Sequence, residues 1–171
     1  AYEIRPRDWS SDVCSSDLEI AFVIGKKGKN IPLQDAESYI FGYCLVCDFS
    51  EREWQKNRSG QWIKGKSSDT FGPVGPYIVT KDEFKDLYNL NMSLDVNGKR
   101  MQTGNTSKMI HKMNFLTSYA SEFMTLMPGD IITTGTPPGV GDSMKPPTYL
   151  KRGDVVSLTI DQLGSQKHSV K

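Results

Sequence analysis

One stretch of this chain, residues 108–127, carries apolar residues at clear helical spacing, and nearly everything else reads as short strands broken by turns. Met113, Leu116, Ala120, Phe123 and Met127 recur every three or four positions and make one apolar stripe. Ser107 is placed to cap its start, and Pro128-Gly129 stops it. Such a stripe reads as core rather than as a ligand site. Strand patterns fall at 20–25, 41–48, 76–80, 91–96, 99–103, 130–134 and 154–160. Asn97-Gly98, between two of them, is a two-residue hairpin signal, because both residues tolerate the positive φ that such a turn requires. Short helices fit at 34–39 and 50–55. Many strands against one long helix predict a mostly β fold with a few helices (α+β). At 171 residues, with no internal repeat and no linker, the chain reads as a single domain.

Composition removes several function classes. A net charge of +1 gives no electrostatic reason for a nucleic-acid partner or an acidic membrane surface. No apolar run is long enough to span a bilayer, and no segment reads as a secretory signal. Hydrophobic content is only 37%, but three Trp, seven Tyr and seven Phe can supply a core. Cys44 and Cys47 form Cys-x-x-Cys with no second pair and no nearby His, so zinc is not indicated. At i and i+3 on a strand they face opposite sides, which is poor geometry for a disulfide. Reduced, structural cysteines predict a cytoplasmic setting.

The chemistry gathers around three acids. Asp17 and Glu19 sit at alternate positions at the start of one strand pattern and share a face. Asp48 ends another pattern and can join them if the strands are neighbours. Three carboxylates in one place repel unless a cation sits between them, and an all-oxygen set favours Mg²⁺, Mn²⁺ or Ca²⁺ over zinc. Spacing alone gives three separate solvated acids. The text around them changes that.

Five ordered segments resemble the fumarylacetoacetate hydrolase family: Glu19-Ile-Ala-Phe-Val-Ile-Gly25; Gly42-Tyr-Cys-Leu-Val-Cys-Asp48-Phe-Ser-Glu-Arg52-Glu-Trp-Gln55; Gly65-Lys66 with Asp69-Thr-Phe-Gly-Pro-Val-Gly-Pro76; Met101-Gln-Thr-Gly-Asn-Thr-Ser-Lys-Met-Ile110; and Pro128-Gly-Asp-Ile-Ile-Thr-Thr-Gly135-Thr136-Pro-Pro-Gly139-Val-Gly141. The resemblance covers nearly everything from Glu19 onward. It implies the family's mixed β-roll, usually paired as a homodimer, and a Mg²⁺-type centre. In that pattern the metal ligands are Glu-x-Glu and a distant Asp, here Asp17, Glu19 and Asp48, with Asp replacing Glu at the first position. Lys66 matches the family's active-site lysine.

Residues 7–18 do not resemble the family. With four Ser, three Asp and no apolar periodicity, they look like a translated sequencing adapter fused to a truncated frame. Residues 1–18 are therefore expected to be foreign or disordered, with Trp9 and Val13 unpacked. Residues 19–171 would form the catalytic domain, lacking its N-terminal part. The Asp17 match would then be accidental.

Asp48, Arg52 and Gln55 fall on one face of a short helix, so Arg52 can grip a substrate carboxylate with two parallel hydrogen bonds. Its blander alternative is a surface pair with Glu51 or Glu53. The Gly135-Thr136 loop offers amides and a hydroxyl for the other end of the substrate; its alternative is a loop needing glycine for shape alone. Residues 60–67 satisfy a P-loop pattern letter for letter, but a polar turn precedes them and Gly72, Pro73, Gly75 and Pro76 follow, so no helix can receive a phosphate. Neither His111 nor His168 falls where the family carries its catalytic histidine. The resemblance implies a metal-dependent hydrolase cleaving a carbon–carbon bond in a small keto-acid substrate, a 2,4-dioxo acid. Decarboxylase, keto–enol isomerase or ureidoglycolate lyase activity on the same platform is the alternative, and a non-catalytic metal-binding fragment another.

Overall fold

The computed structural model describes residues 14–171 and the strand residues Glu3–Ile4. Two sheets carry the fold. The first is built on β2 (Cys14–Ile24) and β3 (Ile40–Glu51), an antiparallel pair in continuous register from Cys14↔Glu51 to Val23↔Gly42, with a shift before Ile24↔Ile40. Short strands β4 (Val79–Thr80) and β7 (Ile131–Thr133) flank it, giving the order β4-β3-β2-β7. The second sheet contains β5 (Asn91–Val96), β6 (Lys99–Asn105), β8 (Val155–Ile160) and β9 (Gly164–Val170). Its order is β1-β9-β8-β5-β6, with β1 (Glu3–Ile4) pairing parallel to β9. Asn97 (φ 52°) and Gly98 (φ 78°) turn the β5–β6 hairpin as expected.

The core follows from period two. Leu18, Ile20, Phe22 and Ile24 of β2, with Tyr43, Leu45, Cys47 and Phe49 of β3, pack in one cluster with Leu94, Val156 and Leu158 of the second sheet. Ala21, Val23, Cys44 and Val46 form a separate small cluster on the other face. Cys44 and Cys47 do face opposite sides, and all three cysteines are buried and free.

Three expectations need correction. The strand expected from residue 20 begins at Cys14, and Cys14–Leu18 is buried throughout, so the packed structure has no boundary at Glu19. Trp9 and Val13 lie outside the described residues. The long helix is shorter: α1 spans Met113–Phe123, preceded by a 3₁₀ turn at Thr106–Lys108 whose cap is Asn105, not Ser107. Met113, Thr117 and Ser121 are its most buried residues, Leu116 and Ala120 of the expected stripe pack partly buried against the core, and the Ser118 and Ser121 hydroxyls bond the backbone of Ile31. Phe123 is 60% exposed.

Candidate metal centre and active site

The β2–β3 register places Asp17 directly opposite Asp48, with Glu19 two residues along the same face of β2. That face also carries Ser15 and Ser50, opposite each other. The sheet thus has an oily side in the core and a polar end on the reverse.

Each acid has one oxygen engaged by the protein. Asp17 Oδ2 accepts from Arg52 Nη2 at 2.8 Å. Asp48 Oδ2 accepts from Lys66 Nζ at 2.5 Å. Glu19 Oε2 accepts from the Gly135 amide at 2.7 Å. Burial pushes the Glu19 carboxyl up to about 6, partly opposed by the Gly135 amide and reinforced by the Asp48 and Asp17 charges. Asp17 is also raised, by burial, although the Arg52 and Lys66 charges pull the other way.

β3 ends at Glu51, and the chain makes one π-helical turn over Glu53–Asn57. The turn folds Arg52 back across β2. Its Nε donates to Ser15 Oγ (2.8 Å), Nη1 to Gln55 Oε1 (2.9 Å) and Nη2 to Asp17. Three of its five N–H donors are engaged in buried contacts. None of the three bonds goes to Glu51 or Glu53. Gln55 is fully buried, and its Nε2 has no partner among the described residues.

Lys66 follows the 3₁₀ turn Trp62–Gly65. A Cβ at Gly65 would lie 2.5 Å from the Glu51 carbonyl oxygen, so only glycine lets this turn press against the end of β3. Lys66 Nζ then reaches Asp48 and Ser50 Oγ (2.6 Å). No helix follows Ser67, which removes the P-loop reading.

Gly135 and Thr136 both bond to β2 and its acids. The Gly135 amide donates to Glu19, and the Thr136 hydroxyl donates to the Leu18 carbonyl (2.8 Å). In this arrangement both hold the acid-bearing strand. His111 stacks on Phe115, and His168 packs edge-on to Phe49 at the core face of β3. Ser15, Ser50 and Gln102 join the site unannounced by sequence. Ser15 falls in the segment set aside as foreign, and a buried Gln gives no periodic signal.

Among the described residues, no three His, Cys, Asp or Glu side chains stand close enough to form a finished ligand cage. Arg52 and Lys66 draw Asp17 and Asp48 to themselves. Yet Asp17 Oδ1 is buried with no partner, a costly state that a cation would relieve. An all-oxygen donor set with a buried orphan oxygen fits a hard ion. A separate cavity of about 340 Å³ touches β2 only at Ser15 and Ser16, and neither the three acids nor Lys66 lines it.

A family model described as fumarylacetoacetate (FAA) hydrolase, C-terminal, matches residues 4–171. The chain belongs to this family. The matched range runs through residues 7–18, which were expected to fall outside it. Fumarylacetoacetate hydrolase from Exiguobacterium antarcticum superposes with a TM-score of 0.89 at 38% identity, covering 95% of this chain and 58% of that one. Maleylpyruvate hydrolase from a Sphingobium strain gives 0.79 at 34% identity, covering 92% and 54%. Oxaloacetate tautomerase fahd2 of Xenopus laevis is 50% identical over 155 residues, 90% of this chain and 49% of its own length. A Burkholderia cenocepacia relative is 46% identical, covering 95% of this chain and 64% of itself. The chain thus spans less than two thirds of the length of each of these four relatives. Fumarylacetoacetate hydrolase family members include hydrolases, an isomerase from Mycobacterium marinum, and a tautomerase.

Proposed function

We propose that this domain binds Mg²⁺ or Mn²⁺ through Asp17, Glu19 and Asp48 and acts on enolisable 2-oxo acids, cleaving a carbon–carbon bond in 2,4-dioxo acids. The observation that carries this reading is the Asp17↔Asp48 register with Glu19 on the same face, each acid having one oxygen engaged by the protein and the other outside that bond. When bound, the cation supplies Lewis-acid polarisation and accommodates enolate charge. Lys66 has three ammonium protons, of which Asp48 and Ser50 take two. The third serves an oxyanion as it develops. The unpartnered Gln55 Nε2 donates to a substrate oxygen, and Arg52 keeps Asp17 and Gln55 in place.

A second reading is keto–enol tautomerisation of a 2-oxo acid. It needs a base to take the α-proton and return it, but no activated water. The similar Xenopus chain bears a tautomerase name. The deciding experiment offers the purified chain an acylpyruvate and oxaloacetate with Mg²⁺ or EDTA. Release of pyruvate from the first supports hydrolysis; accelerated enol decay of oxaloacetate alone supports the second reading. Neither reaction, with no cation binding, removes both. The buried free thiols support a reducing, cytoplasmic setting, and the described residues contain no helix long and apolar enough to cross a membrane.

A further inference from the structure

β7 pairs with β2 only over Ala21–Val23. Beyond it, among the described residues, the β2 edge at Asp17 and Glu19 has no strand beside it on that side, and the next backbone contact is the single bridge Cys14↔Leu150. Side chains take over the ladder. The Thr134 hydroxyl donates to the Ile20 carbonyl at 2.8 Å, and the Thr136 hydroxyl to the Leu18 carbonyl at 2.8 Å. The Leu18 amide donates to Gln102 Oε1 at 3.0 Å. Gln102 stands on β6 in the other sheet and is 1% exposed. Its Nε2 donates onward to Thr136 Oγ1 (2.8 Å) and the Pro137 carbonyl (2.7 Å). The circuit closes: Leu18 amide, Gln102, Thr136 hydroxyl, Leu18 carbonyl.

We propose that Gln102 is the positioning residue of the acid pair, clamping the two peptide planes between Asp17 and Glu19 and seating the loop whose Gly135 amide orients the Glu19 carboxylate. The inference rests on the cation-site reading of Asp17, Glu19 and Asp48. Leu18 points its side chain into the core, so its backbone is the one part of that residue facing the clamp. Fixing both of its peptide groups sets where the flanking Cβ atoms aim. The same amide group holds the 135–137 loop, so strand and loop cannot shift independently. A glutamine suits this task because it offers an acceptor and two donors from one rigid plane.

The test pairs Mn²⁺ binding, read by electron paramagnetic resonance, with amide NMR of the cation-free chain. In Gln102→Leu, Mn²⁺ affinity should fall about 10- to 100-fold, the range commanded by groups that hold metal ligands in place. Without any ion, the Leu18 amide should lose exchange protection and the Gly135 amide resonance should move upfield as its bond to Glu19 loosens. Thr136→Val, which opens the same circuit with little change of shape, should give the same two signatures and decides the matter if Gln102→Leu does not fold. Wild-type affinity in a folded variant overturns the proposal. If the wild-type chain itself binds no Mn²⁺, the cation reading fails, and unmoved Leu18 and Gly135 amides in the variants then overturn the clamp on their own.

Discussion

Two opposed pulls act on the Glu19 carboxyl: burial raises it, and the Gly135 amide lowers it. Burial wins, and the group titrates at about 6 rather than its ordinary 4.5. The sign follows from linkage. A carboxyl raised by folding stabilises the native state below about 4.5, and that contribution is lost as pH rises through about 6. The loss amounts to roughly 2 kcal/mol. Glu19→Gln removes it. In EDTA, the variant should therefore gain stability relative to wild type as pH goes from 4.5 to 7, measured by thermal melts across that window. Parallel pH profiles would show that the buried carboxyl is not the source. Arg52 shows the complementary case at this scale. Sequence identified it as a site residue, but its partner is set by where the π-turn folds it, and that partner proves to be Asp17.

At the scale of elements, α1 divides stability unevenly. Met113 is fully buried, so Met113→Ala should cost about 2–5 kcal/mol. Phe123→Ser should cost under about 1 kcal/mol, because this side chain lies in an exposed row with His111, Phe115 and Tyr119. Urea unfolding of both variants checks the ranking, and the reverse order would restore the apolar spacing as the guide to the core. The contrast explains what was legible. Strands β5 and β8 were readable because their apolar residues alternate, β3 and β7 because they are short apolar runs, and β6 through the Asn97-Gly98 hairpin signal before it. β9 was not, since Gln166 and His168 occupy inward positions there, with Gln166 holding Leu45, Pro73 and Gly75 carbonyls. The α1 stripe was legible as far as Met113, Leu116 and Ala120, which pack on the core, and failed at Phe123 and Met127, which are exposed where the helix ends. The three acids and Lys66 were legible through motif resemblance; their cross-strand register was not, because pairing is a tertiary fact.

For the whole molecule, a cation that binds only the folded chain must raise its stability. At a hundredfold excess over Kd the gain is about 2.7 kcal/mol, roughly 5–10 °C for a domain of this size. Mn²⁺ or Mg²⁺ should shift the melting temperature of the wild-type chain by that order and leave Asp48→Asn unmoved; equal shifts in both would place the ion elsewhere. One feature of β2 reaches further. Its odd-numbered residues carry the acids and its even-numbered residues carry the core. Deleting one residue between 20 and 23, with the end of β2 held by β7, would carry Asp17 and Glu19 toward the oily interior and turn Leu18 outward. Insertions and deletions in this strand therefore strike folding and chemistry in a single event.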